Sequence, residues 1–289
     1  MKSWSKGFEK MIEIIKTMTN ADYHARQEVS SSVLKAALKS PAHLARCLAG
    51  KGTKSDAMTL GTAVHAWFLE RERFNAEYAE ETERYQRAYG THKAGDPKTD
   101  EDGEPLTALT CPDGAEIKGE NWKKFKAMTE ALSTSKEASA LLEGGQVEVS
   151  FISDGERVRP DLITSDGWIV DLKTVGGSSD LPLTQENFAR EFWNKGYDVQ
   201  MYMYDKLVRE AGLDIKGFIF LCVDAKIPSG VRLFVFERSS DWWGYGEQRY
   251  KRAWEVLRKY RETGDAVKYP EAMVFDLPVP FAAVGELGA

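Results

Sequence analysis

The chain has 289 residues, 42% hydrophobic and 29% charged, with a net charge of −6; that suits a globular protein with a sizeable core, built as one elaborated domain or two small ones. The acidic balance counts against a nucleic-acid binder that relies on bulk positive charge, and no run is long and apolar enough to cross a bilayer. Three scattered cysteines, Cys47, Cys111 and Cys222, form no CxxC pair, which argues against a cysteine zinc site, an Fe–S cluster or a disulfide framework.

Residues 1–16 lack the apolar run of a signal peptide. Phe8, Met11, Ile12 and Ile15 among lysines predict a short amphipathic helix, and the expected location is cytoplasmic, with no membrane partner. Residues 30–49 open with serines suited to N-capping and continue with helical apolar spacing, and Pro41 should break or restart that helix. Residues 58–73 predict another helix. From Tyr85 to Asn121 periodicity disappears, which reads as a long loop insertion. Helix returns over 122–142.

Strand character begins at 146–152 and continues at 156–164 and 167–174, separated by Asp-Gly at 154–155 and 166–167, strong hairpin signals. A meander of three antiparallel strands is expected. A helix over 185–210, strands near 217–223 and 231–237, and a closing helix over 241–262 follow. The tail, 265–289, reads as irregular. The expected organisation is a single α/β (α+β) domain: an N-terminal helical arm (1–84), the insertion (85–121), a core (122–262) and a tail from 263. Residues 1–60 hold ten Lys/Arg against five Asp/Glu, a balance of +5, leaving −11 for the remainder. A basic arm could meet phosphates while acidic groups elsewhere hold metal; a solvated helical face explains the charge run equally.

The chemistry concentrates at Asp171-Leu172-Lys173. In a strand, residues i and i+2 share a face, so carboxylate and ammonium lie side by side with Ile169, while Trp168, Val170 and Leu172 point into packing. A D/E-x-K triplet alone means little: the chain has five, and only this one ends an apolar strand after a hairpin from Pro160-Asp161. Nine residues separate Asp161 from Asp171, enough for one hairpin return. Two carboxylates brought together repel, and a hard divalent cation resolves the conflict. Mg²⁺ or Mn²⁺ would lower the pKa of a bound water and offset phosphate charge; Lys173 could orient that water or neutralise the phosphate. The alternative is a surface salt bridge. Gln200 and Tyr204 stand four apart on one helical face; they could bind water and phosphate, or belong to an aromatic core stripe with Met201 and Tyr202. His65 is either a core histidine or a further ligand. Glu148 either joins the acidic cluster or faces solvent.

HAWFL preceded by GTA, then VEVSF, VRPDLI, IVDLKT and YDVQMYMY, match in order the exonuclease module of the RecE-type family, in the RecB-like branch of PD-(D/E)xK nucleases. The resemblance spans roughly residues 20–240. It implies a mixed five-stranded central sheet flanked by helices. It implies one or two divalent ions held by His65, Asp161, Asp171 and the Leu172 carbonyl, with Lys173 activating water, Gln200 and Tyr204 positioning nucleophile and phosphate, and Glu148 flanking the site. It further implies 5′→3′ digestion of one strand from double-stranded DNA ends, a ring-shaped homo-oligomer (tetramer or trimer) and a RecT-like single-strand annealing partner. Ser30, Ser31, Ser32, Lys35 and Ser40 of the basic arm are candidate phosphate donors, joined by Arg159 and Thr174 beside the carboxylates; an N-cap explains one of the serines equally. The competing readings are an endonuclease on the same fold and a catalytically silent DNA-binding protein.

Overall fold

A computed structural model describes residues 12–52, 54–84, 91–99, 105–153, 155–176 and 183–267. The chain opens with strand β1 (Glu13–Ile15) and four helices, α1 (Asn20–Ala25), α2 (Ser31–Lys39), α3 (Pro41–Leu48) and α4 (Asp56–Leu69). Helix α5 (Arg71–Glu77) leads into strands β2 (Ala79–Thr82), β3 (Thr107–Thr110) and β4 (Glu116–Ile117), then helices α6 (Glu120–Thr134) and α7 (Lys136–Leu142). Five strands follow: β5 (Gln146–Val147), β6 (Ser150–Ser153), β7 (Glu156–Val158), β8 (Leu162–Ile163) and β9 (Trp168–Val175). Helices α8 (Gln185–Lys195) and α9 (Tyr197–Glu210) precede strands β10 (Gly217–Asp224) and β11 (Val231–Glu237), and α10 (Trp242–Thr263) closes the described fold.

The central sheet has five strands in the order β11-β10-β9-β8-β5. Only β9 and β10 run parallel, so the sheet is mixed as expected. Parallel neighbours need a long crossover, which α8 and α9 supply. Each face carries its own core. Ile169, Phe218, Phe220 and Cys222 pack with residues of α2, α8, α9 and α10; Val170, Leu172, Ile219, Leu221 and Val223 pack with residues of α4 and α6. Period-two alternation along β9 and β10 thus feeds two helical layers at once.

Punctuation decides most helix ends. Pro41 restarts the chain as α3, with Ser40 accepting the His43 N–H as N-cap, because proline suits a first helical turn and cannot continue a preceding one. The helix expected over 185–210 is two helices, split at Gly196, whose left-handed backbone (φ 66°) ends α8. The spans expected at 58–73 and 122–142 likewise break, at Glu70 and Ser135.

Three expectations need correction. Within the span read as a loop, 107–110 and 116–117 are strands that join β2 in a small antiparallel sheet, where Leu109 and Ile117 are buried; residues 85–90 and 100–104 lie outside the described residues. At the N-terminus, the expected helix gives way at 13–15 to β1, paired with β6; residues 1–11 of that expectation lie outside the described residues. The meander is also interrupted: β5 and β8 belong to the central sheet, whereas β6 and β7 join β1 in a separate three-stranded sheet. Asp154 of the first turn and residues 268–289 of the tail lie outside the described residues. Among the described residues no helix is long and apolar enough to cross a membrane.

Candidate active site

The interruption of the meander builds the site. Val147 pairs with Leu162, and then Glu148 adopts φ 54°, the one described non-glycine residue in the left-handed region. There Cβ crowds the backbone. The kink sends the chain out of the central sheet and back at Asp161, whose carbonyl accepts the Glu148 N–H at 3.1 Å. Glu148 and Asp161 therefore face each other where the two sheets part, beside the β9 residues that carry the D-x-K triplet.

Across the hairpin, Asp161 Oδ2 accepts the Leu172 N–H at 2.7 Å. Burial, reinforced by the charge of Asp171, pushes the Asp161 carboxyl well above the ordinary aspartate range. Burial and Asp161 together push Glu148 up to about 8. Asp171 is almost fully buried; its Oδ1 accepts from Gln200 Nε2, and Lys173 Nζ lies against its Oδ2. Burial works to discharge Lys173, but Asp171, Tyr197 and Asp161 outweigh it and hold its pKa above the usual lysine value. The group is a fixed cation, suited to offsetting negative charge.

Helix α9 presents Gln200, whose Oε1 lies 3.0 Å from Lys35 Nζ and 3.4 Å from Lys173 Nζ. One amide thus ties Asp171 to two lysines, one of them 165 positions away on α2. Burial and the neighbouring Lys173 charge pull Lys35 down to about 7. Tyr204, buried on the same face, hydrogen-bonds Ser31, and burial raises its hydroxyl well above the usual tyrosine range, so it remains a donor.

Helix α4 supplies His65, with Nδ1 3.4 Å from Asp161 Oδ2. Its ring also hydrogen-bonds the Leu172 backbone; the Leu172 N–H is given to Asp161, so the acceptor is the carbonyl. Burial lowers the imidazole to about 4, and the ring is neutral at pH 7 even allowing for its 30% exposure. A Cβ on Gly61, one turn before His65, would stand 3.1 Å from Thr174 Oγ1. The glycine lets α4 approach β9 closely enough for His65 to reach the carboxylates.

The structure thus gathers His65, Glu148, Asp161, Asp171, Leu172, Lys173, Gln200, Tyr204 and Lys35. The other expected phosphate contacts lie outside this group. Ser31 is buried against Tyr204, Ser32 is exposed, and Ser40 caps α3, 2.8 Å from His43 Nδ1. Arg159 is buried, donates to Ser150, Asn20 and the Met18 carbonyl, and has its Nε 3.8 Å from Glu148 Oε2. Thr174 lies on the other face of β9, against Gly61. Sequence reading missed two residues. Tyr197 lies beneath both lysines, its ring centre 4.7 Å from Lys173 Nζ and 5.8 Å from Lys35 Nζ. Glu70, at the end of α4 and ion-paired with Arg73, adds negative field on Asp161 and Glu148; its signal was an acid five residues after His65, masked by the alternating charges of Glu70-Arg71-Glu72-Arg73.

Among the described residues no three His, Cys, Asp or Glu side chains enclose a metal-sized space, because Asp171 is turned to Gln200 and Lys173. The donor chemistry nonetheless fits a hard divalent ion: two crowded carboxylates from adjacent strands, a neutral imidazole and the Leu172 carbonyl. Asp171 Oδ2 is buried, and the Lys173 ammonium against it neutralises its charge.

No curated protein matches the sequence. Among solved structures, the chain is similar to a protein of Eubacterium rectale named a "putative exonuclease", with a TM-score of 0.57 and 16% identity, covering 93% of this chain and 98% of that one. At that identity the likeness concerns the fold. Residues 30–272, which contain every element contributing to the site, match the family described as "PDDEXK-like domain of unknown function (DUF3799)", and the chain belongs to that PD-(D/E)xK-like family.

Proposed function

We propose that this chain is a metal-dependent deoxyribonuclease that hydrolyses phosphodiesters of double-stranded DNA from its ends. The observation that carries the reading is the convergence of Asp161, Asp171 and Lys173 with His65 and Gln200 at a kink between two sheets. Buried carboxylates forced together cost stability, and a binding function for the ion they attract accounts for that cost. PD-(D/E)xK nucleases in general use divalent metals; here His65, Asp161, Asp171 and the Leu172 carbonyl would hold Mg²⁺ or Mn²⁺, one or two ions per site. When bound, such an ion supplies an acidified water and offsets charge on the phosphate.

The remaining work falls to the protein. Lys173, fixed as a cation, stabilises charge developing on the phosphate oxygens. Gln200 bridges carboxylate and lysines, which positions an amide to orient water or phosphate once Asp171 turns to an ion. Tyr204 remains a hydroxyl donor toward the same space. Glu70 adds negative field beside Asp161, and Glu148 joins it as pH rises through its raised pKa, both offset in part by Arg73 and Arg159.

End-directed digestion with 5′→3′ polarity, a ring of three or four subunits and a RecT-like annealing partner are supported by the ordered RecE-type motifs. The test compares linear with covalently closed circular duplex in Mg²⁺ or Mn²⁺, with Lys173→Ala as control, followed by duplex labelled at a single 5′ or 3′ end. Release of nucleotides from linear DNA alone, with 5′ label lost first, is the expected result. Closed circles cut as readily as linear ends would make the chain an endonuclease, and no metal-dependent release at all would leave a silent DNA-binding protein.

A further inference from the structure

A second binding feature adjoins the site. Beyond Gln200, Lys35 forms one wall of a cleft of about 160 Å³ whose other walls include Lys39, Trp193, Lys195, Gly196 and Arg249. Besides Lys35, the cleft is lined by three cations, Lys39, Lys195 and Arg249, in a protein of net charge −6. Lys39 and Lys195 are exposed, and among the described residues neither makes an ion pair. Arg249 is held rigidly: Nη1 reaches Asp198 Oδ1 at 2.8 Å and the Trp193 carbonyl at 3.1 Å, while its guanidinium stacks 4.0 Å from the Trp193 ring centre. Those two contacts use the Nη1 protons and leave Nε and Nη2 for a ligand. Asp198 is fully buried and committed to Arg249, so it sets the guanidinium's orientation. Gly196 brings the backbone against Lys35, where an added Cβ would stand 3.0 Å from Lys35 Cγ.

The geometry points to a subsite for an internal backbone phosphate of a nucleic-acid strand, next to the phosphate being cleaved. Several cations around a space that would hold about five waters suit a hydrated phosphodiester rather than a base. Lys35 touches both the cleft and Gln200, and Gln200 touches Asp171, so the subsite begins one side chain from the reacting centre. Trp193, with Arg249 on one ring face, offers a platform on which an unpaired base could stack, a contact that suits a single strand. Lys39 and Lys195 give affinity and Arg249 gives direction, because a fixed guanidinium fork matches phosphate oxygens better than a mobile ammonium. The inference rests on the nuclease reading above, since it names how that site would hold its substrate.

The test reads binding, not turnover. A fluorescent single-stranded oligonucleotide is titrated with the full chain in EDTA over a salt series, for wild type, Lys39→Gln/Lys195→Gln, Arg249→Lys, and Lys123→Gln/Lys126→Gln as a charge-matched control on α6. The cleft variants should weaken binding about tenfold, and the double variant should flatten the salt dependence by roughly 0.7 for each phosphate no longer neutralised; the α6 control should change neither. Equal affinity and slope in wild type and cleft variants would overturn the subsite even if the wild type degrades DNA. Loss of binding in the cleft variants alongside a wild type that never cleaves would sustain the subsite and sink the nuclease reading. A 5′-mononucleotide is titrated in parallel. Cleft variants that lose the mononucleotide and keep the oligonucleotide would make this a product site and overturn the proposal.

Discussion

Strand β9 presents two faces of opposite chemistry. On one, Val170 and Leu172 are buried in an apolar layer against α4 and α6. On the other, Ile169 is as deeply buried, but the next two positions on that face are Asp171 and Lys173. Backbone, sheet and degree of enclosure are shared; only the side chains differ. The apolar face gains stability from every group it buries, whereas the charged face accepts a desolvation cost that the ion pair and Gln200 offset in part. Retention of such a cost in one place is what supports the proposed active site there.

The largest effects should come from exchanging what each face loses. Asp171→Asn should cut DNA hydrolysis by at least about 10²–10³-fold, the scale for removing a charge-stabilising group, with the thermal midpoint little lowered; Lys173→Ala should cut it as far but also lower the midpoint, because it leaves the Asp171 carboxylate buried without its cation. Leu221→Ala, on the neighbouring β10 in the apolar layer and 1% exposed, should do the reverse: a stability loss of about 2–5 kcal/mol, read by urea unfolding, with hydrolysis per folded molecule nearly unchanged. If Asp171→Asn unfolds the protein and keeps its rate, the charged face is structural.

Crowding of carboxylates gives a pH-dependent form of the same contrast. The folded state raises the Asp161 pKa, so it binds that proton more tightly than the unfolded chain. The penalty is absent below the unfolded value of about 3.9, grows as pH rises past it, and is complete above the folded value. In EDTA, Asp161→Asn should therefore raise the thermal midpoint at pH 8 by about 2–4 °C per kcal/mol relieved, with little change at pH 4. Asparagine keeps an oxygen for the Leu172 N–H, so the variant removes charge and not the hydrogen bond. A lower midpoint at pH 8 would show that the carboxylate stabilises the fold.

The contrast between the two faces was readable in the sequence, because WIVDLKTV alternates and places acid and lysine two apart after a Pro-Asp hairpin. The restart at Pro41 and the approach of Asp161 to Asp171 across a hairpin follow from local rules of period and turn chemistry, whereas the five-stranded sheet came from the family resemblance and the meander read from turns is interrupted by β6 and β7. What escaped reading depends on residues distant in the chain. Nothing near Lys35 announces Gln200, and a two-residue β4 has too little sequence to show a period. The left-handed turn at Glu148 was hidden for another reason. Glycine usually marks such a position, and here a glutamate occupies it, between the Asp161 carboxylate and the Arg159 guanidinium 3.8 Å away.

That position yields the smallest and most specific effect. At φ 54° a residue with Cβ carries strain of about 1–2 kcal/mol that glycine escapes. In ordinary strand or helix backbone glycine is instead the worse residue, by about 0.5–1 kcal/mol relative to alanine. Glu148→Ala removes the half-buried carboxylate and keeps the strain; Glu148→Gly removes both. The glycine variant should therefore be more stable than the alanine variant by about 1 kcal/mol in EDTA, the reverse of the usual order. Both should bind Mn²⁺ more weakly than wild type above pH 8, measured by calorimetry, because each loses the charge that Glu148 carries there beside Asp161. Should alanine prove as stable as glycine, the turn carries no strain, and the glutamate at 148 needs no functional explanation for its backbone.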